Sequence, residues 1–355
     1  MYPSTRMNLF QPRNKENSPD DDQVTLIGSF ADIIAQGVSW KDFFRACVPP
    51  RIVWTSVDCC CLTDQSQAPI DHNYAVDLVV QVPSIDSKQV LHISAQNAQA
   101  AVGTLAGLLL LLANGKDELE LTFQSFATQP RHPFPPLASD TGLATVLSAK
   151  HKIVAVRLQF VDVDDSTCQL LAKTIPRMEY RQCTVEGLHQ AVASNQCPSK
   201  LTISCTLQEF AKFGTGLGGN SVVRSMDLLL HFWLQGEPLH DFCRGLEHNL
   251  GLETLVIRYL DINDDGWTML FHALRFHPTL QTLCLQFTDD FVDNFRRLTP
   301  ERRTQRTQVV LDFLEENRVI QNVTWPIFQQ DQELMDDIKS RLERNRGTGE
   351  EREHS

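Results

Sequence analysis

The sequence predicts an α/β protein built as a solenoid, with short parallel strands on the concave face and helices on the convex face. Three observations lead to this prediction: a repeated pattern of apolar residues, segments of helical period between the repeats, and a composition that can form a large core. The chain has 355 residues and is 42% hydrophobic, which is enough to bury a sizeable core.

The repeat is clearest in three segments towards the C-terminus. Each has an apolar residue, two variable residues, a second apolar residue, one variable residue and a third apolar residue. The apolar positions are Leu252, Leu255 and Ile257 in the first segment, Leu280, Leu283 and Leu285 in the second, and Ile320, Val323 and Trp325 in the third. Alternation at the end of each pattern predicts a short strand with one face in the core.

The same strand recurs upstream at intervals close to the roughly 20–29 residues of known strand–helix repeats. Its second apolar position is predicted at Leu228, Leu201, Met178, Val156, Leu119 and Leu91. Two intervals are longer because they hold insertions, of which 129–140 is rich in proline.

Helical periodicity separates these strands. Between the first two clear repeats, Trp267, Leu270, Phe271 and Leu274 are spaced to share one helix face. A single strand–helix unit cannot bury its apolar face alone, whereas stacked units form a continuous core. The alternation therefore predicts a parallel sheet covered by helices on one side.

The strand LETLVI, the polar loop DINDDG and the helix WTMLFHAL together resemble one leucine-rich repeat of the ribonuclease-inhibitor type. This resemblance implies a horseshoe-shaped solenoid over 89–342, with long repeats of about 28 residues and full helices. The sequence departs from the family at Leu260, where Asn or Cys often follows the strand. By analogy, the resemblance implies a module that binds other proteins.

The remaining segments differ in composition. Residues 1–23 and 343–355 are polar and charged, and are predicted to be disordered tails. Residues 24–88 contain apolar stretches without the repeat, and are predicted to form either a cap over the first repeat or a small separate domain.

Charge and cysteine usage restrict the partner and the compartment. The net charge of −12 argues against nucleic acid and anionic membranes. The longest apolar stretch, 105–113, is much shorter than the ~20 residues that cross a bilayer. Ten cysteines without disulfide-framework or metal-site spacing indicate a reducing compartment, so the cytoplasm is predicted and the nucleus is compatible.

Two short motifs resemble ligand sites. The segment from Asp261 to Gly266 matches the first half of a calcium-binding loop, but His272 stands where the bidentate Glu is required. The segment from Gly214 to Gly219 fits the glycine string of dinucleotide sites, but a helix-like segment precedes it and the string is interpreted as a loop. The sequence therefore predicts no metal, no cofactor and no catalytic residue.

Partner-binding residues are predicted at variable positions of the strands, which face the concave side. The selected residues are His92, Glu120, Arg157, Gln159, Thr202, His231, Arg258 and Gln286. Arg157 and Arg258 are the preferred anchors, because arginine on a rigid strand supplies stacking and bidentate hydrogen bonds.

A second candidate is a basic patch in the insertion of the last repeat, which could contact a phosphate or an acidic partner. It consists of Arg296, Arg297, Arg302, Arg303 and Arg306. Thr299 and Pro300 mark a helix start within it.

The sequence thus favours a non-catalytic scaffold that binds another protein through the concave face. Two alternatives remain open: a substrate-selecting adaptor of a larger complex such as a ubiquitin ligase, and an enzyme with a nucleotide site at Gly214–Gly219.

Overall fold

The structure is a computed structural model of the full chain. It describes residues 10–12, 24–26, 51–56, 59–62, 76–81, 90–95, 101–103, 105–106, 118–125, 136–137, 143–147, 152–183, 186–204, 206–324 and 332–353. The chain divides into two compact units, Met1–Thr167 and Cys168–Ser355.

Most of the described residues of the first unit lie in strands. They are β1 (Phe10–Pro12), β2 (Val24–Leu26), β3 (Arg51–Ser56), β4 (Cys59–Leu62), β5 (Val76–Gln81), β6 (Val90–Ala95), β7 (Glu118–Ser125), β8 (Pro136–Leu137), β9 (Lys152–Gln159) and β10 (Asp162–Val163). A short helix, α1, spans Leu143–Leu147. Of the predicted tail 1–23, the structure describes only the strand β1.

The main sheet of this unit is mixed, with the strand order β1-β2-β4-β3-β6-β5-β7-β9. Strand β5 pairs antiparallel with both β6 and β7. The prediction that a parallel repeat begins near Leu91 is therefore wrong, because the apolar strand Val76–Gln81 lies between the two strands assigned to consecutive repeats. Residues 24–88 contribute β2 to β5 to this sheet, and their role as a cap stays a prediction.

The second unit alternates strands and helices. Its strands are β11 (Arg177–Arg181), β12 (Lys200–Ser204), β13 (Ser225–Leu229), β14 (Thr254–Leu260), β15 (Thr282–Phe287) and β16 (Asn322–Thr324). Its helices are α2 (Asp165–Thr174, which begins just before the boundary), α3 (Glu186–Ala193), α4 (Leu207–Leu217), α5 (Gly236–His248), α6 (Asp264–Leu274), α7 (Asp289–Arg296), α8 (Pro300–Glu316) and α9 (Gln332–Glu353).

Strands β11 to β16 pair in sequence order and are all parallel. This confirms the predicted parallel strand–helix alternation for this unit. Leu201 lies opposite Met226, and Met226 lies opposite Leu255. The prediction that Leu228 is the second apolar position of its repeat is therefore wrong by two residues, since that position is Met226. The error arises because the apolar residues after Met226 allow the pattern to be aligned on either residue.

The helices cover one face of this sheet. Apolar residues of the strands point to that face and are buried, whereas the intervening residues of β13, β14 and β15 are partly or fully exposed. Trp267 on α6 is fully buried and packs against Phe271 and Phe291. The opposite face, which we call the open face, carries the intervening residues of β11 to β15 and lies under none of the described helices.

In the turns before β13, β14 and β16, a buried asparagine connects one repeat to the repeat before it. Asn249 donates through Nδ2 to the carbonyl oxygens of Leu217 (2.9 Å) and Asn220 (2.8 Å). Its Oδ1 accepts from the backbone N–H groups of Gly251 (3.0 Å) and Leu252 (2.8 Å). One side chain therefore satisfies four buried backbone groups that would each cost about 1–3 kcal/mol if left unpaired.

The arrangement recurs along the unit, and we call it the amide ladder. It comprises Asn220, Asn249 and Asn317 in the turns before β13, β14 and β16, and Asn345 within α9, all buried, with His277 in the turn before β15. The imidazole Nδ1 of His277 accepts from the N–H of Leu280 at 3.2 Å, as the asparagine Oδ1 does elsewhere. Because burial lowers the pKa of His277 to about 4, this ring is neutral near pH 7 and can act as an acceptor.

The last helix closes the end of the ladder. Asn345 donates to the carbonyl oxygens of Asn317 and Ile320, and Arg344 donates to that of Leu314. Residues 343–353 are therefore helical, where the polar composition had indicated a disordered tail. Within the described residues, no helix is both long and apolar enough to span a bilayer.

We predict that His277→Asn reduces the loss of stability in acid. The folded chain holds His277 neutral, whereas the unfolded chain binds a proton below about pH 6.5. Its contribution is thus fully present above that pH and is lost as the pH falls towards about 4. This removes at most roughly 3 kcal/mol. Asparagine accepts the same N–H without titrating.

The measurement is denaturant unfolding of the full chain at pH 7, 5.5 and 4, with His272→Asn on the exposed side of α6 as the control. The stability difference between His277→Asn and the original chain should grow in favour of the variant as the pH falls. Parallel pH profiles would show that His277 is not the acid-sensitive member of the ladder.

Candidate protein-binding surface

The predicted partner-binding residues fall into two groups. His92, Glu120, Arg157 and Gln159 belong to the first unit, and Thr202, His231, Arg258 and Gln286 belong to the second. The prediction placed all eight on one concave sheet, and the structure supports a common surface only within the second unit.

In the first unit, Arg157 is engaged by its neighbour. Its Nη2 lies 3.1 Å from Oε2 of Glu120 on the adjacent strand. Gln159 lies opposite Gln124 in the same strand pair, and His92 lies opposite Val79 in the β5–β6 pair. The Arg157–Glu120 ion pair leaves this arginine less suited to act as a free anchor than the sequence indicated.

In the second unit, Arg258 makes a bidentate ion pair across the open face. Its Nε and Nη2 donate to the carboxylate of Asp227, at 2.8 and 2.9 Å, and its Nη1 donates to Oε1 of Gln286 at 3.3 Å. The hydrogen bonds to Asp227 are the main cause of the raised pKa of Arg258. Sequence reasoning missed Asp227 because the two-residue error in β13 moved the selected variable positions to Leu229 and His231, although Asp227 lies on the same face.

Next to Arg258, a bulge turns Tyr259 into solvent. Between Ile257 and Leu260 the register of β14 against β15 shifts, so two residues of β14 stand where β15 has one. Tyr259 lies within this bulge and has a φ of 58°, which is a left-handed conformation that is rare for a bulky residue. The residue as a whole is 50% exposed.

The segment after β13 brings two further rings to this place. The N–H of Leu230 donates to the carbonyl of Arg258, and the N–H of Leu234 donates to that of Asp261, both at 3.0 Å. These bonds hold His231 beside Tyr259, with ring centroids 5.2 Å apart and planes at 30°.

Trp233 lies in the same segment and is 52% exposed. We call His231, Trp233 and Tyr259 the aromatic edge. The sequence located His231, although as a strand residue, whereas it lies two residues beyond the end of β13.

Acidic residues border the aromatic edge at the carboxyl ends of β14 and β15. They are Asp261, Asp289 and Asp290, which we call the acidic rim. Among the described residues none of the three has an ion-pair partner. Burial, followed by the nearby charge of Asp290, raises the pKa of Asp261. The rim therefore places carboxylates that have no ion-pair partner among the described residues beside exposed rings, two of them in the first turn of α7.

The five arginines of the predicted basic patch do not act together. Arg302 and Arg306 both pair with Asp264, and these contacts lower the pKa of that carboxyl group despite its partial burial. Arg296 pairs with Asp293 at 3.4 Å, while Arg297 and Arg303 are exposed.

Arg306 is the most buried of the five, with 11% of its side chain exposed. Its guanidinium lies 5.2 Å from the ring centroid of Phe291, and 5.7 Å from those of Trp267 and Phe295. The prediction that Arg306 belongs to an exposed basic patch is therefore wrong. Its cation–π contacts instead connect α8 to α6 and α7.

The glycine string belongs to helix packing. Gly214 and Gly216 lie within α4, which begins with a capping box formed by Thr206 and Glu209. A Cβ on Gly214 would lie 2.8 Å from Cα of Phe242, and one on Gly245 would lie 2.2 Å from the carbonyl oxygen of Gly214. The interpretation as a loop is thus wrong, and no strand leads into the string as a dinucleotide site requires.

The calcium-like segment is also a helix start. The Oδ1 of Asn263 caps α6 by accepting from the N–H of Gly266 at 2.8 Å, and Asp264 faces the two arginines described above. Over the described residues, no group of three or more His, Cys, Asp or Glu side chains is arranged to hold a metal ion.

Comparison with known proteins gives a limited likeness. No family model matches the chain, and no curated protein matches it. The solved structure of leiomodin-1 actin-binding site 2 is 16% identical, covering 48% of this chain and 93% of that chain with a TM-score of 0.39.

The tropomodulin C-terminal domain from Caenorhabditis elegans is 14% identical, covering 48% of this chain and 97% of that chain with a TM-score of 0.37. Likeness at this level decides neither the details of the fold nor the partner.

We predict that Gly245→Ala lowers the free energy of unfolding by about 3 kcal/mol, because the new methyl group would meet the backbone of α4. Gly219→Ala is the matched control, since a Cβ there meets nothing within 4 Å. Denaturant unfolding measures both. Equal effects of the two substitutions would contradict the packing role of the glycines.

Proposed function

We propose that the chain is a non-catalytic protein-interaction scaffold, which binds a partner protein through the open face of residues 168–355. We further propose that this unit is a horseshoe-shaped leucine-rich-repeat solenoid of the ribonuclease-inhibitor type. The six strands in sequence order, each joined to the next through helical segments, support this proposal.

The observation that carries the function is the open face itself. Parallel sheets are usually covered on both faces, yet the alternation of buried and exposed residues in β13, β14 and β15 leaves one side available. Its side chains mix a neutralised ion pair, Arg258 with Asp227, with neutral residues such as Thr202, Val256 and Gln286. Such a mixture fits a protein surface better than a polyanion.

The net charge of −12 favours a partner with a neutral or basic surface. A cytoplasmic or nuclear location stays a prediction, as does the adaptor role in a ubiquitin ligase.

Site-specific photo-crosslinking tests the proposal. A photoreactive amino acid replaces Thr202 or Gln286 on the open face, or Thr215 or Thr268 on exposed positions of α4 and α6 as controls. In cells that express the full chain, we expect crosslinked partner proteins from the open-face positions and at least about tenfold less from the helix positions.

Crosslinks of equal yield from both sides, or from the helix side alone, would contradict the use of the open face. Circular dichroism of each purified variant establishes that the substituted chain is folded.

A further inference from the structure

We infer that the aromatic edge and the acidic rim together bind a lysine or arginine side chain of the partner protein. This inference rests on the proposed function, because it names the chemical anchor of the same interaction. It locates that anchor at the carboxyl ends of β13 to β15, beyond the strand positions of the open face.

The exposed rings are the first argument. The large hydrophobic residues that are exposed in the described part of the chain are Trp233, Leu250, Tyr259 and Phe276. Two of these four lie at the aromatic edge, within the segments joined by the bonds from Leu230 and Leu234. Trp and Tyr are enriched among residues that dominate binding energy at interfaces.

The backbone conformation is the second argument. Gln182 forms a left-handed turn one residue beyond the end of β11, and Tyr259 adopts the same backbone conformation at the bulge within β14. At Tyr259 the same turn presents a ring that is half exposed and stacked on His231. The turn and the stacking fix the ring of Tyr259 before a ligand binds. The side chain therefore loses little conformational entropy when the ligand binds.

Charge is the third argument, and it selects the ligand. Nearby acidic groups already have arginine partners: Asp227 pairs with Arg258, and Asp264 pairs with Arg302 and Arg306. The acidic rim has no such partner among the described residues. A cation from outside would complete the pairing that the chain completes for itself at the two other positions.

Aromatic faces and carboxylates favour the same ligand chemistry. The face of Trp or Tyr attracts an ammonium or guanidinium group, and a carboxylate accepts its hydrogen bonds. The chain contains its own example, since Arg306 lies over the rings of Trp267, Phe291 and Phe295 while it pairs with Asp264. The aromatic edge with the acidic rim offers the same combination, open to solvent.

The test uses the full chain and a random-peptide display library as the probe. Peptides selected on the original chain are counter-selected on Trp233→Ser with Tyr259→Ser, then resynthesised for affinity measurements. We expect Lys or Arg to be enriched at one fixed position of the selected peptides, and replacing it with norleucine to weaken binding about tenfold or more.

Two pairs of substitutions separate rings from charges. The counter-selection already ensures weak binding to Trp233→Ser with Tyr259→Ser, whereas Phe276→Ser, which removes another exposed ring, should leave peptide binding unchanged. Asp261→Asn with Asp290→Asn should weaken it several-fold and reduce its salt dependence. Asp312→Asn with Asp336→Asn removes the same charge elsewhere and should leave the affinity unchanged.

Selected peptides without Lys or Arg, or an affinity unchanged by the Asp261 and Asp290 substitutions, would overturn the inference. If peptides or partners still crosslink at Thr202 and Gln286 in that case, the proposed function stands and only the anchor is wrong. If neither the open face nor the aromatic edge is contacted, both proposals fail.

Discussion

The buried side-chain amide in the turns before β13, β14 and β16 is the interaction on which the repeats of the second unit depend. Asn249 reaches back to two carbonyl groups of the preceding turn and forward to two N–H groups of its own. A strand–helix repeat leaves these groups unpaired as the chain leaves one helix and enters the next strand. The amide therefore satisfies the backbone and fixes the distance between neighbouring repeats at the same time.

The binding surface follows from the register that the ladder maintains. Asp227 and Arg258 form a bidentate pair because β13 and β14 begin in register. The turns that precede these two strands are held by Asn220 and Asn249. The bulge of β14 then exposes Tyr259 beside His231. A shift of one residue would send these side chains to the helix-covered face, since neighbouring residues alternate along a strand.

The sequence predicted the strands at Leu255, Leu283 and Val323 and the helix between the first two, because spacing alone defines them. Prediction from the sequence failed where the apolar spacing is ambiguous, or where the contacting residues are distant from each other in the chain. The run after Met226 fits two registers, and pairing with β14 selects one. The aromatic surroundings of Arg306 come from two other helices, α6 and α7, so the local sequence showed only a cluster of charge.

Amide hydrogen exchange on the full chain with Asn249→Ala tests the central claim most directly, since the claim is that one buried amide holds two neighbouring repeats in register. We expect faster exchange throughout 226–230 and 252–260, on both strands that Asn249 connects, while α8 is unchanged. Faster exchange at Gly251 and Leu252 alone would contradict the claim, because it would show that Asn249 caps a turn without maintaining the surface.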